Sequence, residues 1–341
     1  MIERSPSRLH ALFQGVEGMM LPSFSDGYHD LDEAGVRLDV RAGIAQGYFS
    51  LFCAPPAMTR AEYARMLAIV ADESGNRIAT SAVVDEDTEA ANLEVLAAAE
   101  RAGCTHALLN VRYIPGAAPQ LSTLYRRLIE STSLGIVLYA YPSAAVRAFD
   151  STGVPLDVFD ELADLPNVVA MKLTQTMDLE LARTCCRRLS DRLVIGSADL
   201  AILPQLASLM PIRWTGQWLT DAVQTPEHPY VCEYIDLLAA GRIDDALALY
   251  TQFAPAYEAF AALQRPYLLR ADHPWNHMKY YQWCAGGNGG LLRPGNGIEP
   301  APDEAARTTI RTAFANAGIA VRAESDATFA RGRAQSEGMT A

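Results

Sequence analysis

Leu165-Pro166-Asn167-Val168-Val169-Ala170-Met171-Lys172-Leu173-Thr174 is the stretch on which the reading of this chain turns. From 168 to 173 every side chain is apolar except one lysine, the pattern of a strand buried on both faces. An ammonium in the middle of such a strand costs several kcal/mol to desolvate unless it is paired or neutralised. A lysine placed there is suited to be neutral and nucleophilic, as an amine must be to attack a carbonyl and form a Schiff base. The alternative is a lysine near a strand end that reaches water or a carboxylate.

Working outward from this strand, short apolar runs alternate with amphipathic stretches. Strands are expected at 16–20, 48–53, 77–84, 106–111, 135–141, 168–173, 193–197 and 212–217, and helices at 32–46, 60–74, 87–103, 121–133, 158–165 and 179–189. Thr59 and Glu62 have capping-box spacing, and Gly103 closes its helix. Eight strands, nearly all followed by a helix, predict a (β/α)8 TIM barrel over 13–225. The rival, a doubly wound open sheet, lacks a GxGxxG turn after its first strand. Beyond 225 the strand pattern stops: 226–320 reads as a C-terminal helical extension and 321–341 as a flexible tail.

Composition narrows the function. The chain has 341 residues, half of them apolar, and a formal net charge of −12, which argues against nucleic acid or an anionic membrane surface as partner. No apolar stretch is long enough to span a bilayer, and the amino terminus has no signal-like apolar core. The six cysteines show no CxxC or zinc-knuckle spacing, so they read as reduced thiols in a cytoplasmic protein.

Alternation gives Lys172 its neighbours. Ala170, Lys172 and Thr174 share one face of their strand, and Val169, Met171 and Leu173 the other. The bulkier apolar set belongs against the outer helices, which turns Lys172 and Thr174 into the barrel. On the preceding strand Val137, Tyr139 and Tyr141 share a face. If that face also points inward, a phenol stands beside the lysine and can shuttle protons. A core tyrosine with a satisfied hydroxyl is the other reading of Tyr139.

Two of these segments, Leu138-Tyr139-Ala140-Tyr141-Pro142-Ser143 and 165–174, resemble the signature segments of the dihydrodipicolinate synthase/N-acetylneuraminate lyase family. The resemblance covers roughly 13–265 and implies a barrel enzyme, commonly a homo-oligomer (dimer or tetramer). Such an enzyme forms a lysine Schiff base with a small 2-oxo acid, most often pyruvate, and needs no other cofactor and no metal. It implies Lys172 as nucleophile and Tyr139 as proton relay. It also implies Tyr113 as a second tyrosine entering a neighbouring subunit's site, and Gly196 and Ser197, after strand seven, as pocket lining.

The departures are as informative. Relatives carry a Gly-Thr-Thr-Gly-Glu-type loop that holds the substrate carboxylate. Here the chain runs Phe52-Cys53-Ala54-Pro55-Pro56-Ala57-Met58-Thr59, with two prolines that remove backbone donors. Ala144 stands where the synthases carry an arginine. Arg112 and Arg147 are candidate replacements, or are surface arginines. The missing clamp argues against lysine biosynthesis and sialic acid cleavage. Trp214 and Trp218 suggest flat apolar walls at the barrel mouth, with tryptophans sealing the core as the alternative. The Tyr-Ala-x-Pro run and the long C-terminal region most resemble the hydratase-aldolase branch, which acts on aryl-substituted unsaturated 2-oxo acids.

The segment 272–283 holds His273 and His277, four residues apart, a spacing zinc can use on a helix. Pro274 and the lack of an HExxH glutamate weaken that reading, so a mouth cover or an oligomer contact is expected there. Three functions follow: a Schiff-base aldolase or lyase on a small carbonyl substrate, a dehydratase or hydratase using the same iminium, and a non-catalytic small-molecule-binding barrel.

Overall fold

The computed structural model describes residues 6–110, 118–140, 146–147, 150–174, 178–217, 223–268, 272–295, 297–321 and 324–339. Among them are eight strands: β1 (Gly15–Met20), β2 (Ser50–Cys53), β3 (Ala79–Val84), β4 (His106–Leu109), β5 (Gly135–Ala140), β6 (Val168–Leu173), β7 (Val194–Ser197) and β8 (Trp214–Gln217). All ladders are parallel, in the order β7-β6-β5-β4-β3-β2-β1-β8. The predicted (β/α)8 barrel with a helical C-terminal region is therefore the fold.

Helices alternate with these strands: α2 (Glu33–Ala45), α3 (Arg60–Ser74), α4 (Glu89–Ala102), α5 (Ala118–Glu130), α6 (Leu156–Leu162), α7 (Leu179–Leu189) and α8 (Leu203–Ala207) follow β1 to β7, after a leading α1 (Pro6–Leu12). Their ends are set locally. Thr59 and Glu62 form the expected reciprocal box at the start of α3, and Gly103 ends α4 in the left-handed conformation at φ 90°.

The seam between β7 and β8 is closed by side chains. The Trp214 indole Nε1 donates to the Val194 carbonyl at 3.1 Å and the Thr215 hydroxyl to the Ser197 carbonyl at 2.7 Å. Gly196 makes room for this. A Cβ there would lie 2.6 Å from the Trp214 ring and 2.7 Å from its carbonyl oxygen, closer than any side chain tolerates.

The C-terminal region begins with α9 (Tyr230–Ala239) and α10 (Ile243–Leu268), then α11 (Trp275–Cys284) and α12 (Glu304–Asn316). The segment expected to be a flexible tail instead folds into α13 (Asp326–Arg331) and α14 (Arg333–Ser336), burying Phe329, Arg333 and Ala334. Its polar, Ala/Gly/Ser-rich composition concealed one buried aromatic and one buried arginine that fix it. From Met278 to Cys284, α11 is also buried, with Gln282 Nε2 donating to the Met19 carbonyl at 2.9 Å. Over 278–284 it is a core helix beside β1, while His273, Trp275 and His277 of the same segment are half-buried. Among the described residues no helix is long and apolar enough to cross a membrane.

Candidate active site

The barrel interior is stacked in levels. At the floor, Phe13 meets the Trp214 and His106 rings edge to face, each at 5.0 Å between centroids. Above them lies a carboxylate, Glu17 of β1, which is 1% exposed. Its Oε1 accepts from Ser50 Oγ at 2.9 Å and Ser81 Oγ at 2.8 Å, and faces His106 Nε2 at 2.7 Å. Four strands thus send one polar group each to a single point. Burial pushes the Glu17 carboxyl up, but the His106 and Lys172 charges and the bonds from His106 and Ser81 outweigh it, holding the group below its ordinary value.

Lys172 and Tyr139 form the next level. They are register partners on β6 and β5. Both are buried, the lysine completely, and Nζ lies 5.1 Å from the Tyr139 ring centroid and 4.5 Å from that of Phe52. Burial pulls the Lys172 ammonium down from 10.5 to about 8, with the Glu17 charge pulling it back up. At neutral pH a useful fraction of the amine is then unprotonated, the form that attacks a carbonyl.

Lys172 and Lys279 are the only lysines in the chain, and both are fully buried. Their surroundings separate them. Lys279 Nζ sits 3.2 Å from Ser23 Oγ and 3.7 Å from Asp39 Oδ2, held by a hydroxyl and a carboxyl group. Lys172 faces two aromatic rings at the carboxyl ends of β2 and β5, the end at which barrel enzymes place their chemistry.

The remaining predicted residues divide. Thr174, just past β6, is buried. Gly196 and Ser197 lie on β7 itself, not after it, and Gly196 is the register partner of Lys172. Trp214 is the clear correction. It is the first residue of β8, paired with Gly15 at the start of β1, so its ring seals the floor and cannot wall the mouth. Arg147 is exposed. Tyr113, Arg112, Tyr141 and Trp218 lie outside the described residues.

His273 precedes α11 and stacks on Trp275 at 4.7 Å, while His277 Nδ1 faces Glu299 Oε1 at 3.4 Å. Among the described residues, no group of three His, Cys, Asp or Glu side chains is placed to hold a metal ion.

Sequence reasoning missed Glu17, His106 and Phe52. The first carried the same signal as Lys172, a charged residue inside an apolar strand run.

Comparison with known proteins bears on this site. Residues 12–210 match the model of the Dihydrodipicolinate synthetase family. The curated 4-hydroxy-tetrahydrodipicolinate synthase of Cutibacterium acnes is 28% identical over 220 residues, 63% of this chain and 70% of that one. The enzyme of the same name from Moorella thermoacetica is 26% identical over 255 residues, 73% and 82% of the two chains. Among solved structures, dihydrodipicolinate synthase from Aquifex aeolicus superposes with a TM-score of 0.76 at 16% identity, covering 91% of this chain and all of that one (100%). PhdJ bound to a substrate intermediate gives 0.71 at 20%, covering 90% and 96%. At such identities the structural matches speak for the fold. The family model spans more than half of the chain, and on that ground the protein belongs to the dihydrodipicolinate synthetase family.

Proposed function

We propose that the protein is a class I aldolase or lyase that forms a Schiff base through Lys172 with a small carbonyl compound, a 2-oxo acid or a close relative. The observation that carries this reading is the pairing of Lys172 and Tyr139 inside the barrel, with the ammonium lowered to about 8. In the reaction, the Lys172 amine adds to the carbonyl carbon, and the resulting carbinolamine loses water to give an iminium. The iminium nitrogen draws the electrons of the bond between the α and β carbons, which breaks to release the β carbon as an aldehyde and leave an enamine across the α carbon. Tyr139 carries the protons, giving one to the departing hydroxyl and taking one from the hydroxyl that becomes the aldehyde. Protonation of the enamine carbon and hydrolysis return free Lys172.

An apolar or aromatic partner, as in hydratase-aldolase chemistry, is supported by the Phe52 ring against the amine. The synthase activity of the curated relatives is not carried over, because 52–56 reads Phe-Cys-Ala-Pro-Pro here. Resemblance supports a homo-oligomer with Tyr113 reaching a neighbouring site, which sedimentation and Tyr113→Phe kinetics would test.

Borohydride reduction in the presence of pyruvate and a panel of aryl and alkyl 2-oxo acids and aldehydes tests the central step. The expected result is one stable adduct, mapped by peptide mass spectrometry to Lys172, whose mass identifies the carbonyl partner. Product analysis then separates aldol cleavage from dehydration. A folded protein with Lys172 unmodified across the panel would favour the non-catalytic binding barrel instead.

A further inference from the structure

Glu17 is a buried carboxylate that the proposed chemistry does not use, and its surroundings are built. Ser50, Ser81 and His106, from three different strands, all address its Oε1. That arrangement orients the group and favours its ionised form. Its other oxygen faces the lysine side of the barrel. A Cβ on Gly216 would sit 3.3 Å from Glu17 Oε2 and 3.6 Å from Lys172 Cε. Both groups therefore border the same glycine, where an added Cβ would also press on Trp214 Cζ3 at 3.0 Å.

We propose that Glu17, fixed by Ser50, Ser81 and His106, is the counter-charge of the Lys172 iminium and so a positioning residue for the reaction. The inference rests on the Schiff-base reading. With Lys172 neutral, Glu17 Oε1 is held by Ser50, Ser81 and His106 while its other oxygen faces an uncharged amine. Forming the iminium places a positive charge opposite it, and the pair balances. In a low-dielectric barrel that difference favours the iminium over the free amine plus carbonyl.

Among the described residues the titratable groups around the pair are few. His106 comes from β4, Tyr139 from β5, and Cys53 from β2, whose thiol burial pushes well up. The described residues of β3, β7 and β8 add Ser81, Gly196, Ser197, Thr215 and Gly216, none of which titrates in the working range.

The experiment compares wild type with Glu17→Gln, which keeps volume and hydrogen-bonding capacity but removes the charge. Borohydride trapping at saturating carbonyl is followed against pH, with intact mass as readout and circular dichroism as the fold control. In the variant, the alkaline limb of trapped fraction against pH should move down by at least one unit, and kcat should fall tenfold or more. The initial trapping rate at neutral pH should hold or rise, because more of the amine is neutral. Glu17→Asp should restore part of the limb. A purely structural role would not move these quantities apart.

Should Glu17→Gln fail to fold, Ser50→Ala with Ser81→Ala keeps the charge but loosens it, and a smaller shift in the same direction is expected. A limb within 0.3 unit of wild type, with kcat unchanged, would overturn the inference while leaving the Schiff base standing. No wild-type adduct with any carbonyl would remove the Schiff-base reading and this inference together.

Discussion

Lys172 Nζ stands 4.5 Å from the centroid of the Phe52 ring. Two effects compete there. The face of the ring attracts a cation, worth about 2 kcal/mol or more when desolvated. The bulk of the ring excludes the water an ammonium needs, which favours the neutral amine. Burial lowers the ammonium to about 8, the direction in which exclusion of water acts.

Phe52→Ser should therefore raise the Lys172 pKa, because it admits water or a hydroxyl to the ammonium. The rise of trapping rate with pH should move to higher pH by on the order of one unit. An opposite displacement would mean that attraction to the ring face is the larger effect.

The same burial makes Lys172 a cost to the fold. Its depression from 10.5 to about 8 corresponds to about 3 kcal/mol of lost stability at neutral pH, at 1.36 kcal/mol per unit. The folded state holds this proton less tightly than the unfolded chain. The loss is thus complete below pH 8 and is relieved as pH rises from about 8 to 10.5. Lys172→Met should abolish trapping yet raise the midpoint of urea unfolding at pH 7. The gain is reduced by whatever Glu17 loses with its neighbour. The difference between variant and wild type should shrink at more alkaline pH. A variant less stable than wild type at both pH values would show that the Glu17 attraction outweighs the cost of burial.

Tyr139→Phe tests the relay separately from the nucleophile. Removing one hydroxyl leaves the ring beside Lys172, so binding changes little. Loss of a positioned acid or base costs roughly 10²–10⁴ in rate. The expected result is a kcat reduced by that order with KM within a few-fold, and an adduct that still forms, slowly. A larger change in KM than in kcat would assign the hydroxyl to binding.

Much of this site was legible in the chain because strands alternate. Once 168–173 is a barrel strand, the inward turn of Lys172 follows from the large apolar residues on its other face, and Tyr139 follows one strand earlier. Trp214 was misplaced because period-two alternation says which face a residue takes but not which end of the barrel it occupies. The start of β8 had to be known before the ring could be put at the floor. Glu17 and His106 are 89 positions apart, and nothing local in the sequence relates them. The tail was misread because composition records average polarity. Phe329 and Arg333, though few, meet a surface prepared for them.

That surface yields the last prediction. Asn288 joins the tail to the barrel. Its carbonyl accepts from Arg333 N at 2.8 Å, its side-chain oxygen from Ala334 N at 2.9 Å, and its Nδ2 donates to Ser23 Oγ at 3.1 Å. Arg333, 2% exposed, is bound to Glu324 Oε2 at 2.6 Å and to the carbonyls of Trp283 and Gly287. Gln335 Nε2 reaches the Phe24 carbonyl at 2.7 Å, in the loop that leaves β1 on the side of the barrel where Lys172 opens. Arg333→Ala takes the arginine donor from the Gly287 carbonyl and the Glu324 carboxylate and one of the donors from the Trp283 carbonyl, which keeps Gly286 N–H, a loss of about 1–3 kcal/mol. The melting temperature should fall by several degrees. Hydrogen exchange should quicken across 21–32 and 286–292 while β5 and β6 stay protected. Deleting 324–341 should do the same. If either change left exchange at 21–32 as in wild type, the tail would be a passenger on the barrel rather than a brace for its first loop.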